Sequence, residues 1–300
     1  MTFAQLPLPG AHQQSTAHPR KTPLLISASR RTDLPGFYPG LCAQLIRDKV
    51  QRLRTRFLYG VMFWTKQPVS FLTEPSLRSL VEELENPTVQ LTITGLGSSR
   101  LEPGISSAAE TVKILPQLIS LFKGDPRRIR WRFDPILKDF NGLSHFEQLA
   151  APLSHFGITE CTISFPTYFS LKGNLDTQFE QARIPKWTPS EQKFFLADLT
   201  SMAEKYGIQL FACAQPSITG MQPNIRAACC IDGALFEALH PAHIPLSLPK
   251  DRSQRKQCHC VQSDDIGDYD THPCGGGCVY CYSRAGGPKK EHCIERLPKQ

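Results

Sequence analysis

Apolar runs typical of β-strands alternate six times with segments of helical periodicity along this chain. The strand-type runs are LLISAS at 24–29, FLYGVMFW at 57–64, VQLTIT at 89–94, RIRWRF at 128–133, CTISF at 161–165 and IQLFAC at 208–213. The helical patterns lie near 37–48, 75–85, 106–123, 143–155, 189–205 and 231–239. This alternation predicts a parallel sheet covered by helices, because each parallel connection needs a long crossover segment.

The sequence favours a barrel over an open, doubly wound sheet. No glycine-rich dinucleotide fingerprint follows the first apolar run, which removes the main support for the open form. We therefore predict a TIM-barrel-like (β/α) barrel, complete or partial, over residues 23–250. Residues 1–22, rich in Pro, Gln, His and Ser, are predicted to be a flexible leader. Residues 251–300 are predicted to be a cysteine-rich, cluster-binding segment that packs on the barrel.

The composition indicates a cellular compartment and limits the classes of binding partner. The chain has no apolar run of about eighteen residues and no secretory signal, so we predict a cytoplasmic protein without a membrane partner. In a reducing compartment the eleven cysteines are not expected to form disulfides. The formal charge of +7 comes from 34 basic and 27 acidic residues dispersed along the chain, and it supports nucleic-acid binding only weakly.

Charged side chains follow several of the predicted strands. In (β/α) barrels the active site lies where the strands end, so these positions are candidates for function. We predict a cofactor-binding set that takes a carboxylate or phosphate group of an anionic small molecule. Its members are the cations Arg30, Arg31, Lys66 and Arg132, which can bind such a group, and Asp134, which lines the same pocket.

A structural interpretation of the same charges stays open. Arg31 can pair with Asp33, and Arg132 with Asp134, as salt bridges at the mouth of the barrel. In that case Thr32 or Asp33 caps the helix that begins near Pro35. No residue is assigned a catalytic role from the sequence.

The cysteines are concentrated near the end of the chain. Cys274, Cys278 and Cys281 have the spacing C-x3-C-x2-C, which is typical of a metal or iron–sulfur site because soft thiolates converge within a short loop. Three ligands leave one coordination position open for chemistry. Cys258 and Cys260 lie upstream, and either can serve as a fourth ligand, so a closed site with zinc is the competing interpretation.

The remaining cysteines before residue 250 fit a simpler explanation. They are interpreted as scattered, buried thiols without a shared role. They are Cys42, Cys161, Cys213, Cys229 and Cys230.

The C-x3-C-x2-C loop, with Tyr280 before its last cysteine, resembles the cluster loop of radical S-adenosylmethionine enzymes. The resemblance implies a [4Fe–4S] cluster that binds S-adenosylmethionine and, once reduced by a donor such as ferredoxin or flavodoxin, cleaves it. In that superfamily the motif usually follows the first strand, whereas here it closes the chain.

Most of the chain is similar to the bacterial family called domain of unknown function 1848. The segments that carry this resemblance are ISASRRTDLPGFY at 26–38, FWTKQP at 63–68, WRFDPI at 131–136, ACCID at 228–232 and KDRSQRKQCHC at 250–260. The resemblance implies a barrel-like α/β domain with a C-terminal cysteine cluster for iron and sulfur.

Three hypotheses for function follow. The first is a radical S-adenosylmethionine-like enzyme with a [4Fe–4S] cluster at the barrel mouth and an unknown substrate. The second is a binding protein without catalytic activity, in which a closed zinc or iron–sulfur site attaches the C-terminal segment to the barrel. The third is an enzyme of nucleic-acid processing or repair, for which the positive charge and the loose similarity of the cysteine loop to radical DNA-repair lyases are the only supports.

Overall fold

The computed structural model describes residues 22–53, 55–166, 168 and 175–281. Eight strands form one sheet in which every neighbouring pair is parallel. The strands are β1 Thr22–Ala28, β2 Arg56–Thr65, β3 Pro87–Thr92, β4 Ile129–Phe133, β5 Glu160–Ile163, β6 Gln209–Ala212, β7 Ile225–Ala227 and β8 Asp264–Asp265. An α/β fold with a parallel sheet, as predicted, is confirmed.

The strand order within the sheet is β7-β6-β5-β4-β3-β2-β1-β8. A closed barrel with this order needs a ladder between β7 and β8, and none joins them among the described residues. The sheet is therefore open, and closure into a complete barrel is not observed. Both outer strands are very short, with three and two residues, so each adds few ladder hydrogen bonds at its edge.

Ten α-helices are described between and beside the strands. They are α1 Leu34–Phe37, α2 Pro39–Arg52, α3 Ser70–Thr73, α4 Pro75–Glu83, α5 Ala108–Lys113, α6 Leu115–Leu121, α7 Leu143–His155, α8 Leu175–Gln181, α9 Pro189–Lys205 and α10 Gly233–Leu239. Among the described helices, none has the length and apolar character needed to cross a bilayer.

Alternate residues of the strands face two different cores. In β1, Leu24 and Ile26 belong to the main core, which lies between the sheet and most of the helices. In the same core, Trp131 of β4 stacks on Phe146 of α7 with ring centroids 4.9 Å apart. Leu25, between the two β1 residues, belongs instead to a second core. The period of two thus gives the sheet an outer face and an inner face.

The inner face is covered by α10 and by the chain on either side of it. Phe236 of α10 packs so closely on β2 that a Cβ atom at Gly60 would lie 2.5 Å from its ring. The amide of Gln90 in β3 donates to the carbonyl oxygen of Cys230 at 2.8 Å. Asn86, just before β3, likewise donates to the carbonyl oxygen of Phe236 at 2.9 Å. These contacts fix the segment that contains Cys229 and Cys230 against the middle of the sheet.

The predicted division of the chain at residue 250 stays a prediction. The described part of the predicted cysteine-rich segment contributes β8, which pairs with Ile26 and Ser27 of β1. The predicted leader lies outside the described residues except for Thr22, the first residue of β1.

Candidate metal centre

The loops after β1 and β2 meet at the carboxyl edge of the sheet. Asp33 caps α1 by accepting from the backbone N–H of Gly36 at 2.9 Å, and it also accepts from the backbone N–H of Lys66 at 2.8 Å. Burial raises the pKa of Asp33. Asp33 therefore joins the ends of two neighbouring strands and fulfils the capping role that the structural interpretation gave it.

Lys66, Glu102 and Tyr280 form a buried network beside this junction. The Nζ of Lys66 lies 2.9 Å from Oε1 of Glu102 and 3.0 Å from the Tyr280 hydroxyl oxygen. Glu102 also accepts from the Tyr280 hydroxyl and from Oγ1 of Thr94, the latter at 2.7 Å. Tyr280 belongs to the cysteine loop, so this network ties that loop to the ends of β2 and β3.

The pKa shifts of the network describe a charged pair. Burial opposes the charge of Lys66, but the negative charge of Glu102, which also accepts a hydrogen bond from Lys66, outweighs it and raises the pKa of Lys66. Burial also opposes the charge of Glu102, and there the Lys66 charge prevails and lowers the pKa. Burial and the Glu102 charge raise the pKa of Tyr280 far above its usual value. Lys66 and Glu102 are therefore ionised, and Tyr280 is a neutral donor.

The loop from Cys274 to Cys278 depends on glycine for its close contacts. The N–H of Gly104 donates to the carbonyl oxygen of Gly276 at 3.0 Å. A Cβ atom at Gly276 would lie 3.5 Å from Sγ of Cys274 and 3.6 Å from Sγ of Cys278, so the two sulfur atoms flank this residue. At Gly275 a Cβ atom would lie 2.6 Å from the ring of Phe37. The glycine-only gap of the motif thus lets the backbone pass tightly between the two thiols and the strand-end loops.

Three thiols share this loop, and we call them the loop thiol set: Cys274, Cys278 and Cys281. Burial raises the pKa of Cys274 to about 12 and that of Cys278 to about 11. Both thiols also interact electrostatically with Cys281, so the three groups are near one another. The Lys66 charge acts in the opposite direction on Cys278. A metal bound here must displace the thiol protons.

The loop thiol set fits a soft metal in donor chemistry. Two of the thiols, Cys274 and Cys278, lie beside the glycine backbone, and the Lys66 charge acts on Cys278. Thiols are the donor type that iron–sulfur clusters and zinc prefer. Across the part of the chain that the structure describes, however, no three His, Cys, Asp or Glu side chains are already arranged to hold a metal ion. The assignment of Cys274, Cys278 and Cys281 as ligands stays a prediction.

Arg132 and Asp134 lie close to the buried network. Arg132 pairs with Asp134, as the structural interpretation proposed, and its Nη1 donates to Sγ of Cys230 at 3.1 Å. Its guanidinium also lies over the Trp64 ring, 5.4 Å from the centroid. The Asp134 charge acts on Lys66, so these two members of the predicted set and Lys66 share one region.

Arg30 and Arg31 contact the segment that contains β8. The Nη2 of Arg30 donates to Oδ2 of Asp251 at 3.1 Å and to Oγ of Ser263 at 2.6 Å. Arg31 donates through Nη1 to the carbonyl oxygen of Gly267 at 3.3 Å. Both arginines hold the C-terminal segment against the end of β1, and none of these hydrogen bonds reaches the Lys66 network.

Cys258 and Cys260 lie among other cysteines, on the inner face of the sheet. We call the five the inner thiol set: Cys213, Cys229, Cys230, Cys258 and Cys260. Sγ of Cys213 lies 4.0 Å from Sγ of Cys230, and the Cys260 thiol interacts with those of Cys229, Cys230 and Cys258. Cys213, Cys229 and Cys230 were predicted to be scattered thiols, but in the fold they lie close to other cysteines. The adjacent pair at 229–230 and the C-x-C at 258–260 were the available signals.

The other two cysteines that were predicted to be buried thiols without a shared role, Cys42 and Cys161, are indeed buried. Cys42 in α2 and Cys161 in β5 are completely buried in the main core. None of the ten cysteines within the described residues forms a disulfide.

The structure thus defines an α/β protein with one all-parallel sheet and a cysteine loop at its carboxyl edge. The sequence model of the family described as "Domain of unknown function (DUF1848)" matches residues 25–283, and the chain belongs to this family. The family resemblance inferred from the sequence motifs is confirmed. Among curated proteins, none matches the chain.

Proposed function

We propose that the protein is an iron–sulfur enzyme of the radical S-adenosylmethionine type. In this proposal Cys274, Cys278 and Cys281 hold a [4Fe–4S] cluster at the carboxyl edge of the sheet. The observation that carries the proposal is the position of Cys274 and Cys278 beside Gly276, with Cys281 interacting with both thiols and Cys278 close to the Lys66–Glu102 pair. When bound, such a cluster supplies an open iron site and an electron for reductive cleavage of S-adenosylmethionine.

The charges at the strand ends favour one kind of ligand. Lys66 is paired with Glu102, and Arg132 is paired with Asp134, so each cation has a carboxylate within contact distance. A ligand that carries only negative charge must compete with both carboxylates. A zwitterionic group, such as the amino acid end of S-adenosylmethionine, can interact with a cation and a carboxylate at the same time. The paired arrangement therefore supports an amino-acid-like ligand over a polyphosphate.

The proposal extends to the setting of the enzyme. The strand order supports a (β/α) barrel that is open between β7 and β8, with the reaction at its mouth. A thiolate cluster needs reducing surroundings, so we propose the cytoplasm as its compartment. An electron donor such as ferredoxin or flavodoxin would then be a partner.

The test is anaerobic reconstitution with iron and sulfide, followed by reduction and electron paramagnetic resonance with and without S-adenosylmethionine. The wild-type spectrum is expected to change when S-adenosylmethionine is added, and 5′-deoxyadenosine and methionine are expected as products. Cys278→Ala is expected to lose both signals. Cys161→Ala, a buried cysteine of the main core, serves as the matched control and keeps them.

A fully loaded, reducible cluster that cleaves no S-adenosylmethionine and shows no spectral change would contradict the proposal. The burial of Cys278, which is 8% exposed, favours one alternative in that case, a closed structural site. Stoichiometric zinc in the purified protein, without visible absorbance, would support that alternative.

A further inference from the structure

Four thiols of the inner set lie in one apolar cluster. Cys230 and Cys260 are buried in it, and Cys213 and Cys258 pack against it together with Leu25 and other apolar residues. The four come from three separate stretches of chain: the residue after β6, the segment after β7, and the turn that precedes β8. Solitary buried thiols need no such convergence, so the gathering of four calls for a common ligand.

The distance between two of the sulfur atoms is compatible with a thiolate-bound metal. A tetrahedral zinc ion with Zn–S bonds of about 2.3 Å places its sulfur ligands about 3.8 Å apart. Sγ of Cys213 and Sγ of Cys230 are 4.0 Å apart. From Cys230 the contacts continue to Cys260 and from there to Cys258. The four thiols form a chain of contacts. Among the described residues no three of them already surround one metal position, so binding requires rotation of these side chains.

Groups around the four thiols provide the donors that stabilise thiolate sulfur. The backbone N–H of Ile231 donates to Sγ of Cys260 at 3.3 Å, and Nη1 of Arg132 donates to Sγ of Cys230 at 3.1 Å. Bonds of this kind orient and tune metal-bound thiolates.

Positive charge also surrounds the four thiols. The charges of Arg30 and Arg255 act on Cys258. Within the described residues, Nε and Nη1 of Arg30 are buried and have no hydrogen-bond partner. A four-thiolate metal centre carries net negative charge, and these arginines compensate it where an apolar cluster alone would not.

Cys229 differs from its neighbour Cys230. The Cys229 thiol donates to the carbonyl oxygens of Ile231 and His259, both at 3.2 Å, and Cys229 is not a member of the apolar cluster although it also reaches Cys260. It is therefore the natural internal control for any role of the other four.

We propose that Cys213, Cys230, Cys258 and Cys260 form a second metal site, separate from the loop thiol set, that holds a thiophilic centre through four thiolates. The centre is either a zinc ion or an iron–sulfur cluster, since both accept four thiolates. Binding releases the thiol protons and involves no oxidation of the chain. The proposal is independent of the function proposed for the loop.

The test starts from a variant that lacks the loop thiol set, with Cys274→Ala, Cys278→Ala and Cys281→Ala combined. Zinc, iron and acid-labile sulfide are measured in the anaerobically purified protein and again after incubation with Zn²⁺, or with Fe²⁺ and sulfide. The variant is expected to retain one centre per chain, and the metal found identifies it as zinc or as a cluster. Adding Cys260→Ser or Cys230→Ser is expected to abolish this metal, whereas adding Cys229→Ser is expected to leave it.

A second measurement does not depend on the variants folding. Wild-type protein is alkylated before and after treatment with a strong chelator, and the labelled cysteines are mapped by mass spectrometry. Cys213, Cys230, Cys258 and Cys260 are expected to be protected until the metal is removed. The proposal is overturned if the loop variant binds neither metal while circular dichroism shows it folded, if chelation leaves the labelling of the four unchanged, or if Cys229→Ser removes as much metal as Cys230→Ser.

Discussion

The two thiol sets differ in how the chain brings them together. The loop thiol set lies within eight residues, at the carboxyl edge of the sheet, where glycine contacts and the Lys66–Glu102 pair hold it. The inner thiol set is assembled from three segments between residues 213 and 260, and all of its members except Cys229 lie in an apolar cluster of the inner face. The first depends on local backbone geometry and one buried ion pair, and the second depends on the packing of the whole sheet.

This contrast predicts that the two sets respond to different changes. A substitution at the carboxyl edge should loosen the loop thiol set and leave the inner set intact. The alkylation rate of each cysteine, mapped by mass spectrometry in metal-free protein, reports on the two sets separately. Urea unfolding reports on the whole domain.

The largest effect is expected for Glu102→Gln. Glu102 is 2% exposed and pairs with Lys66, whose side chain is 19% exposed, so the substitution leaves a largely buried lysine without its counter-charge. Breaking a buried pair in this way costs about 3–5 kcal/mol. The free energy of unfolding should fall by that amount, and the loop thiols should react faster with alkylating agent than in the wild type.

The matched control is Glu83→Gln, which removes the carboxylate of the exposed pair between Arg47 and Glu83. Its unfolding midpoint should stay at the wild-type value because exposed pairs contribute little. If Glu102→Gln were as mild as this control, the ion pair would not be what holds the loop.

The same pair predicts a dependence on pH. The pKa of Glu102 is lowered in the folded protein, so the stability it contributes is present above the ordinary glutamate pKa of about 4.3 and is lost as the pH falls through the lowered value. The difference in unfolding free energy between wild type and Glu102→Gln should therefore be full at pH 7 and shrink in acid. A difference that stays constant from neutral pH down to about pH 2 would show that the carboxylate charge plays no part.

A smaller effect is expected for Gly104→Ala. The new Cβ atom would lie 2.7 Å from the carbonyl oxygen of Gly275 and 3.1 Å from that of Gly276, and backbone atoms yield less readily than side chains. Forced shifts of this kind cost about 1–3 kcal/mol. Loop thiol labelling should accelerate, and labelling of the inner set should not change. Gly142→Ala is the control, because nothing lies within 4 Å of a Cβ atom there.

The elements of this fold could be predicted where local signals are strong. The helix predicted at 189–205 is α9 with the same bounds, and a capping box between Thr188 and Glu191 starts it. The single helix predicted at 106–123 is instead two, α5 and α6, with a break at Ile114 just before Pro116. Proline in the first turn of a helix is favourable, whereas proline inside one breaks it, so this boundary had a readable cause.

The sites could be predicted only where the residues are close in sequence. The spacing of the loop cysteines and the pairing of Arg132 with Asp134 are both local patterns. Lys66 and Glu102 are 36 residues apart in the sequence, and Cys230 and Cys260 are 30 residues apart. No spacing pattern in the sequence indicates either contact. Such contacts depend on strand register and on which face of the sheet a segment covers, and these are properties of the assembled fold.

The smallest effect is expected for Tyr38→Phe, which tests whether the loop is also held from the side of α2. The Tyr38 hydroxyl donates to the carbonyl oxygen of Pro273 at 2.8 Å, in an exposed position, and the ring lies edge-on to His272. Phenylalanine keeps the ring contact and removes only the hydroxyl, so the cost should be about 0.5–1 kcal/mol. Tyr206→Phe, which removes a comparable bond to Glu147 far from the loop, is the control for hydroxyl loss. Tyr38→Phe should speed loop thiol labelling less than Gly104→Ala does if the glycine contact is the main restraint on the loop. Equal acceleration by the two substitutions would show that the hydrogen bond from Tyr38 restrains the loop as strongly as the glycine contact. The loop thiol set would then depend on packing against α2 and not on local backbone geometry alone.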